Sequence, residues 1–337
     1  MKNIFLSCLI AMIANTVFAQ FNITLLTSNM EMDSVSITNS SRKYKASALP
    51  ANTVKMHLEA PYDIDRFEIN IYQKDKKLFQ SIWLNKGDIT IKAHQKDTEL
   101  VIDTVINAPI YNYVVHEVNP TLKRLRDLNN NDSIHYFLLG VIEKNKENAF
   151  SATMIYHYIN NSRHSEDRIN LISPLVEQQS TKFSWFHIAR MNAAAVQLIL
   201  HPPVLDLNLY AFLDKDSVLH HIQLEKGHYT VLDFWFLTCT PCRRDHKSIK
   251  EDKQKMDAKG IQLISVSIDR YEIADKWSDY LQQHEYTWAN YLQTNEKSIT
   301  SDFKISTYPT YWVLDDTGKV VFMDNKYDEL KRFLGLE

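Results

Sequence analysis

Cysteine is scarce in this sequence: 337 residues contain three. One of them, Cys8, falls in an N-terminal stretch, residues 1–19, that reads as a secretory signal peptide. It has Lys2, an apolar run over 4–13, and Val17-Phe18-Ala19 as a small-residue cleavage site. Asn15 and Thr16 interrupt a run already short for a bilayer, which argues against a membrane anchor. Leu6-Ser7 before Cys8 faintly matches a lipoprotein box, but cleavage there would leave almost no apolar core in the signal. Removal of residues 1–19 leaves Cys239 and Cys242 alone, which excludes a framework of structural disulfides. Long apolar runs are also missing after the signal, so the mature chain is expected to be soluble. A dominant charge is lacking too. With 38 Lys and Arg against 41 Asp and Glu, interspersed, the net charge is −3, and neither nucleic acid nor an anionic membrane surface is favoured. There are no internal repeats or low-complexity tracts. The length exceeds one ordinary domain and predicts two or three.

What is present changes along the chain. Residues 20–108 tend to alternate apolar and polar, as in Phe67-Glu68-Ile69-Asn70-Ile71-Tyr72, and 67–73 is expected to pair with 78–84 as a hairpin. This predicts a small antiparallel β-domain. No cluster of ligands or nucleophiles occurs in it, so packing or binding is left as its task. Residues 109–200 turn to helical spacing, notably 133–145 and 149–160, and read as a helical connector whose aromatic side chains belong to packing. His201-Pro202-Pro203 marks a boundary. Residues 201–337 alternate: strands over 204–213, 218–224 and 230–236, a helix over 241–257, and a strand over 260–269. Helices over 273–284 and 297–303, a hairpin of 310–315 with 319–323, and a closing helix over 327–334 complete the pattern. This predicts an α/β domain with a mixed sheet and helices on both faces.

The chemistry concentrates in Thr230 to Arg244, TVLDFWFLTCTPCRR, an apolar strand running into Cys239-Thr240-Pro241-Cys242 and then a helix. A cysteine at a helix N-terminus lies beside unpaired N–H groups and the positive end of the helix dipole, which stabilises a thiolate. The second cysteine, three residues on, is placed to resolve a mixed disulfide made by the first. Pro241 suits the first helical turn, and Arg243 and Arg244 add positive charge. Asp233 is a lone carboxyl inside the apolar strand, on the same side of the pleat as Val231 and Trp235. An ionised carboxylate is costly there, so Asp233 is a candidate to accept and return the proton of the second thiol; a purely structural buried acid is the alternative. Thr307-Tyr308-Pro309-Thr310 opens a later strand with a proline, consistent with a tight turn. His246, one turn after Cys242, could complete a metal site with the two cysteines. A fourth ligand is missing and a polar helix tolerates an exposed histidine, so redox exchange is the stronger reading. His220-His221 reads as a surface pair.

Taken together, LDFWFLTCTPCRR, the following helix, IQLISVSID and TYPT resemble the thioredoxin superfamily, and within it the exported TlpA/ResA-like thiol–disulfide oxidoreductases. The likeness covers residues 204–337. The upstream β-domain and connector resemble, in layout, the N-terminal extension attached to such domains in Bacteroidota. The resemblance implies Cys239 as the exposed nucleophile, Cys242 as the resolving thiol and Asp233 as the buried acid. It also implies Pro309 as a cis-proline facing the disulfide, with the Thr307-Tyr308 backbone pairing with an extended segment of the partner. Residues 268–288 resemble the helical insertion of this group. Three positions depart from the pattern: Thr238 where many relatives carry tryptophan, Thr240 for the usual glycine or acid, and Lys247 for a helix-kinking proline.

These features predict an exported oxidoreductase of the periplasm or cell envelope, needing no organic cofactor and no metal. Its expected partners are disulfide-containing envelope proteins and an upstream reductant protein. Thr240-Pro241 lacks the histidine of strongly oxidising relatives, which inclines the reading towards a reductase or isomerase. Two other classes stay open: a thiol peroxidase, and a non-catalytic envelope binding protein on a thioredoxin scaffold.

Overall fold

The computed structural model describes residues 18–49, 51–60, 62–216, 218–294 and 298–337. The expected signal segment, apart from Phe18 and Ala19, lies outside the described residues. The chain divides into two compact units, Met1–Val196 and Gln197–Glu337.

The first unit begins with eight strands: β1 (Ala19–Ser28), β2 (Ser34–Asn39), β3 (Lys45–Ala48), β4 (Thr53–Ala60), β5 (Ile64–Gln73), β6 (Lys76–Asn85), β7 (Gly87–Lys96) and β8 (Glu99–Ile106). They form two four-stranded sheets, ordered β4-β1-β7-β8 and β3-β2-β5-β6. Alternation decides which face is buried: Phe21, Ile23 and Leu25 of β1 and Phe67, Ile69 and Ile71 of β5 all point into one core. The rings of Phe21 and Phe67 lie 4.9 Å apart, so the two sheets pack face to face as a sandwich. The expected hairpin is β5–β6, with Phe67 opposite Ile82 and a turn of two residues, Lys74-Asp75. Pairing is antiparallel except for β1 with β7, which is parallel. The connector is α1 (Pro109–Tyr113), continued through one π-helical turn, Val114–Val118, into α2 (Asn119–Asp127), then α3 (Asn131–Asn145), α4 (Phe150–Ser162), α5 (Glu166–Lys182) and α6 (His187–Leu200).

The second unit carries β9 (Phe212–Leu213), β10 (Leu219–His220), β11 (Thr230–Trp235), α7 (Thr240–Ala258), β12 (Gln262–Ser267), α8 (Ala274–His284), β13 (Ala289–Gln293), α9 (Ile299–Asp302), β14 (Thr310–Leu314), β15 (Val320–Asp324) and α10 (Tyr327–Leu334). Its sheet runs β10-β9-β13-β12-β11-β14-β15. The three central strands β13, β12 and β11 are parallel, and β14 and β15 close one side antiparallel. Every residue of β11 is buried, as a strand covered on both faces requires. Leu232 and Phe234 enter one apolar cluster with Trp312. Val231 enters another, on the opposite face, with Ile249 and Met256 of α7.

The structure corrects several element boundaries. The strands expected over 204–213 and 218–224 shrink to two residues each, because Asp side chains bend the chain there: Asp206 Oδ1 accepts from Asn208 N at 3.1 Å, and Asp214 Oδ1 accepts from Asp216 N and Val218 N, each at 2.9 Å. Strand β13 falls where no strand was expected. The turn from β14 to β15 needs its glycine: Gly318 has φ +83°, and a Cβ there would meet the Leu205 carbonyl oxygen at 2.3 Å.

Candidate redox site

The site assembles at the C-terminal end of β11, where the chain leaves the sheet and starts α7. Cys239 is the N-cap of that helix, and its sulfur accepts from the Cys242 backbone N–H at 3.2 Å. Pro241 occupies the first turn, where the missing N–H loses no bond. The two cysteines form a disulfide, with Cα atoms 5.3 Å apart. Cys242 is fully buried and Cys239 only 4% exposed, so Cys239, expected as exposed, is not so in this oxidised form. Its sulfur sits in an apolar cluster with Trp235, Trp277, Tyr280, Leu281 and Leu292, while exposed Thr238 and Thr240 flank it. The helix N-terminus favours an anion at Cys239 once the bond is reduced.

The TYPT segment closes over the same cluster. The Tyr308–Pro309 peptide bond is cis. Tyr308 packs against the cluster that holds both sulfurs, its ring 5.5 Å from Phe236, and its hydroxyl donates to the Ile305 carbonyl at 3.0 Å. Burial raises the Tyr308 phenol pKa, with a weaker opposing effect from Thr300. Thr307 is half-buried, and its carbonyl accepts from Thr310 Oγ1 at 2.6 Å. Beside Phe236 a groove of about 620 Å3 is lined by Ile268, Asp269, Arg270, Glu272 and Ile273. Its wall is held in place by Asp269, whose Oδ2 accepts from Leu237 N at 2.6 Å and from Ser267 Oγ at 2.7 Å.

Asp233 lies fully buried on the α7 side of β11. Trp288 Nε1 donates to Ser265 Oγ at 2.8 Å, so the Ser265 hydroxyl gives its own hydrogen to Asp233 Oδ2 at 2.6 Å. The same carboxylate oxygen lies 2.8 Å from Nε2 of His246. His246 is thus not the exposed histidine that a polar helix suggested: it is fully buried, with Trp235 packed edge-on at 4.6 Å. The signal that finds it is the helix's buried stripe, Cys242, His246, Ile249 and Met256, which recurs at helical spacing through an otherwise polar sequence. Asp245 and Tyr311 were also missed. The Tyr311 hydroxyl donates to Asp245 Oδ2 at 3.1 Å, and burial raises both groups above their ordinary values. Among the described residues no group of three or more His, Cys, Asp or Glu is placed to hold a metal ion. His220, the end of β10, pairs with Asp214 at 2.7 Å.

Residues 227–320 match the Thioredoxin-like family model. The C-terminal unit is a thioredoxin-like domain. In sequence this chain is similar to the thiol-disulfide oxidoreductase ResA of Bacillus cereus, 29% identical over 96 residues, which are 28% of this chain and 54% of that protein. It is also similar to the thioredoxin-like protein YneN of Bacillus subtilis, 27% identical over 100 residues, 29% of this chain and 57% of that one. The chain therefore spans about half the length of the curated relatives it matches. Among solved structures, the thioredoxin domain of a thiol-disulfide oxidoreductase from Bacteroides vulgatus aligns with a TM-score of 0.33 and 24% identity, covering 37% of this chain and 89% of that one. StoA from Bacillus subtilis aligns with a TM-score of 0.32 and 19% identity, covering 39% of this chain and 99% of that one. The matches to curated relatives cover at most a third of this chain. Among the described residues no helix is long and apolar enough to cross a membrane.

Proposed function

We propose that this chain exchanges disulfides with partner proteins through Cys239 and Cys242, acting in the cell envelope as a reductase or isomerase. The observation that carries this reading is the placement of Cys239 as the N-cap of α7, with the Cys242 N–H aimed at its sulfur. In the reduced form the Cys239 thiolate attacks a partner disulfide, one partner sulfur leaves, and a mixed disulfide forms. Cys242 then loses its proton, attacks Cys239 and releases the second partner sulfur. The partner gains two electrons, the enzyme is left as the Cys239–Cys242 disulfide, and an upstream dithiol protein restores it. The sulfurs carry the electrons, so the step needs no organic cofactor. An extended partner segment would lie along Thr307 and Tyr308 opposite Pro309, with the adjoining groove at Phe236 and Ile268 taking a side chain. For residues 20–200 this reading leaves packing or binding as the task.

The experiment is the reduction potential of the cysteine couple, read by thiol alkylation after equilibration in glutathione or dithiothreitol buffers. A value near about −270 mV is expected and fits a reductase. A value near about −120 mV would make the chain a disulfide donor. Absence of a reversible couple would end the exchange reading.

A further inference from the structure

Disulfide exchange accounts for the cysteines and gives Asp233 a use, but it does not account for a fully buried histidine bound to that acid. With Nε2 of His246 engaged by Asp233, the other ring nitrogen, Nδ1, is buried without a hydrogen-bond partner among the described residues. A buried polar nitrogen left unpaired is unfavourable, so its retention calls for a use in another state of the protein. Cys242 precedes His246 by one helical turn, which puts the two side chains on one face of α7, and both are fully buried. Trp235 joins them: its ring packs on His246 at 4.6 Å and belongs to the cluster that contains both sulfurs. Cys242 and His246 thus share one buried face of α7, Asp233 holds the ring at Nε2, and Trp235 is common to the imidazole and the sulfur cluster.

We propose that His246, oriented by Asp233, receives the proton of the Cys242 thiol when the mixed disulfide is resolved. This rests on the exchange reading given above. The S–H bond of Cys242 breaks, its proton goes to Nδ1 and the electron pair stays on sulfur. That sulfur attacks Cys239, the bond between Cys239 and the partner sulfur breaks, and the Cys239–Cys242 bond forms. The departing partner thiolate takes the proton from the imidazolium. Asp233 fixes the tautomer with Nε2–H and offsets the positive charge that the ring carries in between.

Other groups surround the same imidazole. From β11 it faces Asp233, and beyond that carboxyl the Ser265 hydroxyl of β12 and Tyr311 of β14. The Tyr286 and Trp288 rings lie 5.3 and 5.9 Å away. From α8, Tyr280 packs on Trp235, and His284 is held below its ordinary pKa by burial, then by Arg243, Lys247, Lys250 and His246. On α7 itself the flanking charges include Arg243 and Asp245 before it and Lys247 and Lys250 after it, and Arg243 stacks over Tyr280 at 4.9 Å. None of these supplies a second partner to Nδ1.

The test uses the full chain and insulin as the disulfide substrate, with turnover followed as a function of pH. His246→Gln is expected to slow resolution of the mixed disulfide by about a hundredfold or more and to alter the pH dependence of that step. The first attack is measured separately in Cys242→Ser and in Cys242→Ser with His246→Gln, and is expected to be equal in the two. An unchanged rate and pH profile in His246→Gln would overturn the inference while leaving the exchange reading intact. No exchange by the unaltered chain would sink the exchange reading and this inference with it. Should His246→Gln fail to fold, nitrogen NMR of histidine-labelled unaltered chain decides. A proton on Nε2 with Nδ1 bare in the oxidised form is expected, and a proton resident on Nδ1 in both redox forms would overturn the proposal.

Discussion

The Tyr311 hydroxyl of β14 donates to Oδ2 of Asp245, three residues past the second cysteine on α7, at 3.1 Å. Burial is the main reason that Asp245 sits above its ordinary 3.8; the bond from Tyr311 and the charge of Arg244 pull it back, and Asp233 pushes it up. A carboxyl that binds its proton more tightly folded than unfolded contributes stability that is greatest at low pH. That contribution is lost as pH rises from the unfolded value through the raised folded one. Tyr311→Phe removes a bond that favours the ionised form, so it lifts Asp245 further and extends the loss to higher pH. The expected cost is about 1 kcal/mol where Asp245 is ionised, shrinking towards acid pH. Urea midpoints of the oxidised chain across the acid range check this, and a deficit that does not vary with pH would contradict it.

The two cysteines should fail differently. Cys242→Ser leaves the helix-capping sulfur to attack but nothing to resolve the product, so a mixed disulfide with insulin should accumulate on a non-reducing gel. Cys239→Ser removes the sulfur at the helix N-terminus and leaves a fully buried thiol, so little adduct should form. Equal trapping by both variants would mean that the nucleophile has been assigned to the wrong residue.

Asp252 ties α7 to α10. Its Oδ2 lies 2.8 Å from Lys331 Nζ and accepts from the Tyr327 hydroxyl at 3.2 Å, and its Oδ1 meets Lys255 Nζ at 2.9 Å. Burial alone would raise this carboxyl, but the bonds from Lys331 and Lys255 outweigh it and hold it below 3.8. The sign is opposite to that of Asp245: stability is present above the unfolded value and is lost as pH falls through the lowered folded one. Asp252→Asn should cost about 1–2 kcal/mol at neutral pH and flatten the acid limb of the stability curve. Thermal melts at neutral and acid pH give both numbers.

How much of this was legible in the sequence depends on how local the cause is. The β5–β6 hairpin, the strand-to-helix turn at Cys239 and the helix α10 are written in alternation, a proline in the first turn and helical spacing, and they lie where those signals put them. Strand β13 is not local: of its five residues only Leu292 is buried, and it becomes a strand by pairing with β12 and β9. The short β9 and β10 lost length to Asp side chains that bond their own backbone, a competition that apolar content alone does not reveal. Asp233 stood out because a charge interrupts an apolar strand. His246 did not, because a histidine in a helix as polar as α7 looks solvated until the stripe through Cys242, Ile249 and Met256 is traced.

Trp277 of α8 tests whether that helix serves the sulfurs or only covers the sheet. Its side chain is fully buried in the cluster with Trp235, Cys239 and Cys242, so truncation removes one of the two tryptophan rings in the disulfide's apolar surroundings. Trp277→Ala should destabilise the chain by about 3–5 kcal/mol, the range for deleting a buried tryptophan, while Trp277→Phe should cost less because most of the volume is kept. The effects on the thiols should follow the same order. Water entering the cavity favours a charged sulfur over a neutral one, so Cys242 in the reduced Trp277→Ala chain should ionise at lower pH and react faster with iodoacetamide than in the unaltered chain. Alkylation rates measured against pH, under conditions where the melting curve shows the variant still folded, separate the two readings. Faster alkylation makes α8 a shield that keeps the second thiol protonated until it is needed, whereas loss of stability with unchanged alkylation makes it packing alone.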